Sequence, residues 1–275
     1  MNAKTPFDDL VAVMARLRGP DGCPWDREQT LESLRTYLLE ETHELLEAIE
    51  NGDTGHIREE LGDLLLEVVF LTQVCQERGL FGIDDVVEGI RDKLVRRHPH
   101  VFGGTEAKNP SEALQRWEEI KNQEKRAEAP DSSFLDGVPT ALPALMRAHR
   151  LSTKASLAGF DWKAVDQIYD KLLEELAEFR SAADGGDAEG MREELGDLLF
   201  IMVNLGRHTG IDPEMALHDA NRKFISRFRF VEERLRSRGV PPGKADMDEM
   251  EALWEEAKAR ERSAPEAPNQ STSSR

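Results

Sequence analysis

Apolar residues in this chain recur with the period of a helix. Phe7, Leu10, Val11, Met14 and Leu17 lie three and four apart and stop at Gly19-Pro20, a pair that ends helices. The same reading predicts helices over 7–18, 28–50, 54–78, 84–97 and 111–128, and a second set over 142–157, 164–183, 187–208, 213–237 and 247–261. Few stretches alternate with period two, so the pattern predicts an all-α protein. The turns "ENGDTG" and "ADGGDAEG" each separate two long helices, and their Gly and Asn residues suit the left-handed conformation that closes a helix.

The two sets are related. "EELGDLL" occurs at Glu59–Leu65 and again at Glu193–Leu199, a shift of 134 residues. "LLEETHELLEA" at Leu38 meets "LLEELAEFRSA" at Leu172 under that same shift. Further on, "DKLVRRH" at Asp92 faces "RKFISRF" at Arg222, and "RWEEIK" at Arg116 faces "LWEEAK" at Leu253. Four blocks in one order mark an internal duplication, and 275 residues are enough for two domains. The segment "APDSSFLDGVP", rich in turn-forming residues, predicts a linker at 130–139 between an N-terminal domain (1–129) and a C-terminal domain (140–262). The tail 263–275 has no apolar run to bury and is expected to be disordered.

Composition narrows the class. The net charge of −18 repels polyanions and argues against a nucleic-acid binder. Cys23 and Cys75 stand far apart in no CxxC spacing, as expected of ordinary buried thiols in a reducing compartment. No apolar run approaches ~18 residues and no signal-peptide core opens the chain, so no membrane partner is expected and the protein is read as cytoplasmic.

The chemistry sits in the repeated acidic blocks. Residues three or four apart share a helix face, which groups Glu175 with Glu178 and Glu194 with Asp197, and in the first copy Glu41 with Glu44 and Glu60 with Asp63. A short turn folds each pair of helices antiparallel and brings the acidic pairs face to face. Four converging carboxylates repel one another, and a hard divalent cation relieves the conflict: Mg²⁺, with Mn²⁺ as its substitute. Glu pairs are commonly just a solvated face, but Asp63 and Asp197 lie within strongly apolar helices, and both copies keep the full acidic set while the loops around it differ. A di-iron site would need Glu-x-x-His twice; Glu40 and His43 have that spacing, but the second copy has Ala177 at the matching place.

Two further blocks are cationic and aromatic. Lys223 and Arg227, like Lys93 and Arg97, are one turn apart and suit phosphate oxygens, although such pairs are also common on solvated surfaces. Trp254 with Lys258, and Trp117 with Lys121, set an indole beside an ammonium, which suits a stacked base with a phosphate nearby or, equally, a Trp covering a bundle end.

These residues resemble the MazG family of all-α nucleoside triphosphate pyrophosphohydrolases, in its two-domain bacterial form. The resemblance rests on "GCPWDREQT", "YLLEETHELLEAI", "EELGDLLLEVVF", "DKLVRRHPHVF", "LPALMRA", "GFDW" and "EELGDLLFIMVNLGRH", in that order over nearly the whole chain. It implies tandem MazG-like helical bundle domains and Mg²⁺-dependent cleavage of NTP or dNTP between the α and β phosphates, giving monophosphate and pyrophosphate. It implies metal ligands at Glu175, Glu178, Glu194 and Asp197 and substrate contacts at Lys171, Lys223, Arg227, Trp254 and Lys258. Glu174 or one of the ligands orients the attacking water. The resemblance also implies that the C-terminal copy is the catalytic one, as in the family's two-domain members, and the copies differ in a compatible direction: Lys171 faces Tyr37 of the first copy, Asn204 faces Phe70 and Asn221 faces Arg91. A homodimer is expected, since one helical hairpin cannot close a core around its apolar face. The competing reading is a nucleotide-sensing or scaffold protein that keeps the metal sites without turnover.

Overall fold

The computed structural model describes residues 4–128 and 133–263, and every regular element among them is helical. The chain divides into two compact units, Met1–Pro130 and Asp131–Arg275. The first contains α1 (Pro6–Leu17), α2 (Pro24–Glu28), α3 (Leu34–Asn51), α4 (Thr54–Glu77), α5 (Ile83–Arg97), α6 (Pro99–Phe102) and α7 (Pro110–Glu128). The second contains α8 (Ala144–Leu157), α9 (Val165–Gly185), α10 (Ala188–Thr209), α11 (Pro213–Ser237), a 3₁₀ turn (Pro242–Lys244) and α12 (Met247–Ser263). The expected disordered tail lies outside the described residues from 264 onward, as do residues 130–132 of the expected linker. Ser263 closes α12.

Each unit is organised around one hairpin, α3 on α4 and α9 on α10. The two turns are built alike. Gly52 and Gly186 end the incoming helices in the left-handed conformation, both at φ +68°. The next residue, Asp53 or Asp187, caps the outgoing helix by accepting backbone N–H bonds from the residues two and three further on. Among the described residues no non-glycine residue has positive φ, so the left-handed role expected of Asn in these turns falls to glycine alone.

One expected helix is broken. Over 28–50 the regular α-helix starts only at Leu34, because Gln29 is extended and residues 29–33 form a turn. The Arg18 guanidinium donates to the carbonyl oxygens of Asp26 and Gln29, and Thr30 and Ser33 exchange backbone-to-hydroxyl bonds. Polar side chains thus take over the backbone groups that a continuous helix would pair. The short α6, which starts at a proline, and the 3₁₀ turn are additions that periodicity did not signal. Residues 133–139 turn back on α8, held by Lys154, which donates to the carbonyls of Phe134 and Asp136.

The cores differ. In the first unit Met14, Leu34, Val69, Phe70 and Val74 are buried together, with Tyr37 against them. In the second, Val231, Leu235 and Leu253 form the cluster, with Trp254 against it. Where the first unit has Phe70, the second buries Asn204, which accepts from Ser152 and donates to the Phe200 carbonyl. Arg207 joins this network, donating to Ser152 at 2.7 Å and pairing with Asp161. Burial alone would raise the Asp161 pKa, but bonds from Arg207 and His208 hold it down at about 2. Cys75 is buried, whereas Cys23, expected to be so too, is only half-buried at the start of α2; both thiols are free.

Candidate active site

The second hairpin brings its acidic residues together. Glu175 on α9 and Glu194 and Asp197 on α10 each offer a carboxylate oxygen within 4.8 Å of the others. Glu175 is 5 % exposed, Glu194 is half-buried and Asp197 faces solvent. Glu178 lies near the same group, since it acts electrostatically on Glu175 and Glu194. Lys171 reaches into the cluster one turn ahead and bonds Glu175 at 2.6 Å and Glu174 at 2.9 Å. That contact explains how a charged Glu175 tolerates burial. Lys171 is the main cause that holds the Glu175 carboxyl below its usual pKa, and Lys171 is itself held well above its own, first by Glu175 and then by Glu174. Glu194 is pushed up by burial and then by the bond and charges of Glu175, Glu178 and Asp197. Glu174 is exposed and tied to Lys171, on the outer side of the group.

A group whose donors are all carboxylate oxygens, crowded enough to raise one member's pKa, fits a hard divalent cation rather than a soft one. The ions that such a cluster takes carry oxygen-rich coordination, and the side chains here supply it from two rigid helices.

The cationic and aromatic residues form a second group on α11 and α12. Arg227 pairs with Glu261 at 2.6 Å and lies over the Trp254 ring, 5.6 Å from its centroid. Lys223 is exposed one turn earlier, and its charge reaches Glu261. Lys258 pairs with Glu255 at 2.6 Å. Phe224, 56 % exposed, stands 5.2 Å from Trp254 and stacks on Phe228. Phe224 and Glu261 were missed by the sequence reading. The repeat carries a signal for the glutamate, because Glu124 holds the same place after Trp117 as Glu261 does after Trp254, and it binds Arg97 at 2.6 Å. Nothing in the repeat marks Phe224, whose counterpart is Leu94.

The first copy assembles a parallel group with different neighbours. Glu41, Glu60 and Asp63 lie within 4.8 Å of one another, and Glu44 raises the Glu41 pKa after burial and Asp63 do. Here Glu60 is the buried member, 4 % exposed, and His56 bonds it at 2.7 Å. Tyr37 is half-buried against the core, in an edge-to-face pair with Trp25. Lys93 is exposed, and Arg97 and Lys121 both lie over Trp117, 5.4 and 4.6 Å from its centroid.

Comparison with known proteins agrees with this geometry. The MazG nucleotide pyrophosphohydrolase domain matches residues 29–102 and again 164–231, one match over each acidic hairpin. The chain is 47 % identical over 258 residues to a nucleoside triphosphate pyrophosphohydrolase of Escherichia coli, covering 93 % of this chain and 98 % of that one. It is 45 % identical over 252 residues to the nucleoside triphosphate pyrophosphohydrolase/pyrophosphatase MazG of Thermotoga maritima, covering 92 % and 95 %. A Mycolicibacterium smegmatis nucleoside triphosphate pyrophosphohydrolase matches over 153 residues at 45 % identity, 55 % of this chain and 46 % of that one. With two copies of the acidic hairpin, each matched by the same domain, and relatives aligned over nearly their full length, this chain belongs to the MazG family.

Proposed function

We propose that the second unit hydrolyses nucleoside triphosphates, ribo- or deoxyribo-, to the monophosphate and pyrophosphate, with Mg²⁺ as its ion and Mn²⁺ as a substitute. The observation that carries this reading is the convergence of Glu175, Glu194 and Asp197 within 4.8 Å beside Lys171. Glu175, Glu178, Glu194 and Asp197 would hold the cation, which when bound would supply neutralisation of the triphosphate and acidification of the attacking water. Lys171 leaves Glu175 for a phosphate oxygen as substrate arrives, and Glu175 is then free to act as a ligand. Glu174, released in the same exchange, is a base positioned to orient the water. Lys223 and Arg227 hold the distal phosphates, Trp254 stacks on the base and Lys258 adds a cation one turn on.

The first unit supports this division of labour, because its counterpart of Lys171 is Tyr37, half-buried against the core. Dimerisation is supported by matching exposed leucines on the two hairpins: Leu39, Leu61 and Leu65 in the first, Leu173, Leu195 and Leu199 in the second. Apolar faces of this kind favour association with a second copy. Among the described residues no helix is long and apolar enough to cross a membrane.

The test is a panel of ribo- and deoxyribonucleoside triphosphates incubated with Mg²⁺, Mn²⁺ or EDTA, with the products identified. Pyrophosphate and monophosphate in equal amounts, lost with EDTA, are expected. Nucleotide binding without pyrophosphate release would favour the sensing reading instead.

A further inference from the structure

Arg227 of α11 is held from two sides by residues of α12. Its guanidinium lies over the Trp254 ring, and its Nε and Nη2 both donate to Glu261 Oε2, at 2.9 and 2.6 Å. The indole supports the group from one face, and the carboxylate fixes its rotation within the plane. A single oxygen takes one N–H from each of two nitrogens, which leaves the Nη1 edge of the fork outside that bond. The Arg227 bond holds the Glu261 carboxyl below its ordinary range, so it is ionised at neutral pH. The same three residue types meet in the first copy. Arg97 donates to Glu124 Oε2 through Nε at 2.9 Å and Nη2 at 2.6 Å, and it lies over Trp117. In both copies the glutamate stands two helical turns after the tryptophan, although the segments that join the arginine helix to the tryptophan helix differ in length.

We propose that Glu261 is a positioning residue for nucleotide binding, which sets the Arg227 guanidinium on Trp254 with its Nη1 edge presented to the phosphates. The inference rests on the triphosphate reading of the second unit. Stability does not account for the pair: the Glu261 side chain is 39 % exposed near the end of α12, and an exposed ion pair contributes little to folding. Attraction to the substrate does not account for it either, because a carboxylate beside a phosphate site repels the ligand. What the carboxylate supplies is order. A long side chain with many rotamers is set in one orientation before the ligand arrives, so less freedom is lost on binding.

The experiment measures KM, kcat and Tm with ATP and Mg²⁺ on the full chain and on its Glu261→Ala, Glu261→Gln, Glu261→Asp and Arg227→Ala variants. Glu261→Ala is expected to raise KM roughly fivefold while kcat stays within about twofold, the pattern of lost binding. Glu261→Gln, whose amide oxygen still accepts from Arg227, should recover most of that loss. Glu261→Asp keeps the charge but is one methylene shorter, so it should behave like the alanine variant, and it decides the matter if that variant folds poorly. Added to Arg227→Ala, the Glu261→Ala change should have no further effect on KM, as expected of two groups that act as one. A wild-type KM in the alanine and aspartate variants would overturn the proposal, as would an equal loss with and without Arg227. A KM lowered by both Glu261→Ala and Glu261→Gln would overturn it too, and would make Glu261 a competitor that the phosphates displace. If the unsubstituted chain releases no pyrophosphate, the activity reading fails by itself, and calorimetric Kd values for ATP on the same variants test the positioning role. No ATP binding by the unsubstituted chain would overturn both.

Discussion

The two hairpins share a turn and a carboxylate pattern, yet they bury opposite members of that pattern. In the first copy the buried acid is Glu60 on the outgoing helix, and in the second it is Glu175 on the incoming one. The neighbouring base accounts for the difference. His56 sits one turn before Glu60, Lys171 sits one turn before Glu175, and each carboxylate is desolvated only where a partner compensates it. The matching positions are Gly190 in the second copy and Tyr37 in the first, neither of which can do this. A cluster's electrostatic character therefore depends on residues outside the motif that defines it.

The largest effect expected from this contrast is on turnover. Asp197→Asn should lower kcat/KM at least about a thousandfold, because on the proposed mechanism it would remove one of the carboxylates that place the ion. Asp63→Asn, the same change in the other copy, should leave at least about half the activity. Steady-state kinetics on both variants decides the matter, and a reversed outcome would make the first copy the enzyme.

The aromatic sites come next. Trp254→Ala should raise KM roughly tenfold with a much smaller change in kcat, the pattern of lost uniform binding. It should also cost stability, since Trp254 packs against Val231, Leu235 and Leu253. Trp117→Ala should alter stability alone. A wild-type KM for the Trp254 variant would leave that side chain only its role in packing.

A smaller difference concerns acid. Asp161 has a folded pKa of about 2, below its ordinary 3.8, so its ion pair with Arg207 contributes stability that is full above the unfolded value and is lost as the pH falls toward 2. That shift corresponds to about 2 kcal/mol. Asp161→Asn should remove it at neutral pH and flatten the acid limb of the second unit's unfolding curve. In the first unit the corresponding strut runs from Arg18 to Glu77, whose pKa is also lowered, and Glu77→Gln should act in the same direction. Urea melts between pH 2 and 7 would resolve both.

The smallest effect should be equal in the two copies. Gly52→Ala and Gly186→Ala each place a Cβ at φ +68° with open space around it, so only backbone strain is added, about 1 kcal/mol. Unequal losses would mean that the turns are not equivalent.

Much of this was readable in the chain because it depends on local spacing. Helical period and the Gly-Asp turns fix the hairpins, and carboxylates three apart must share a face, so the two acidic groups follow from short-range geometry. What spacing could not supply was tertiary. The break before Leu34 depends on Arg18 capturing carbonyls from outside the segment. Phe224 gains its place beside Trp254 only when α11 and α12 pack.

The repeated turn has a consequence for how such a chain can change. Each hairpin works like a tuning fork: a rigid Gly-Asp stem sets the separation of two tines, and whatever is mounted outside alters the load but not the spacing. The outer faces of the copies are thus free to drift apart, one toward an apolar core and the other toward a polar network, while the three oxygens stay within 4.8 Å of one another. Duplication of such a part gives the chain a spare whose surroundings can change without the frame being rebuilt.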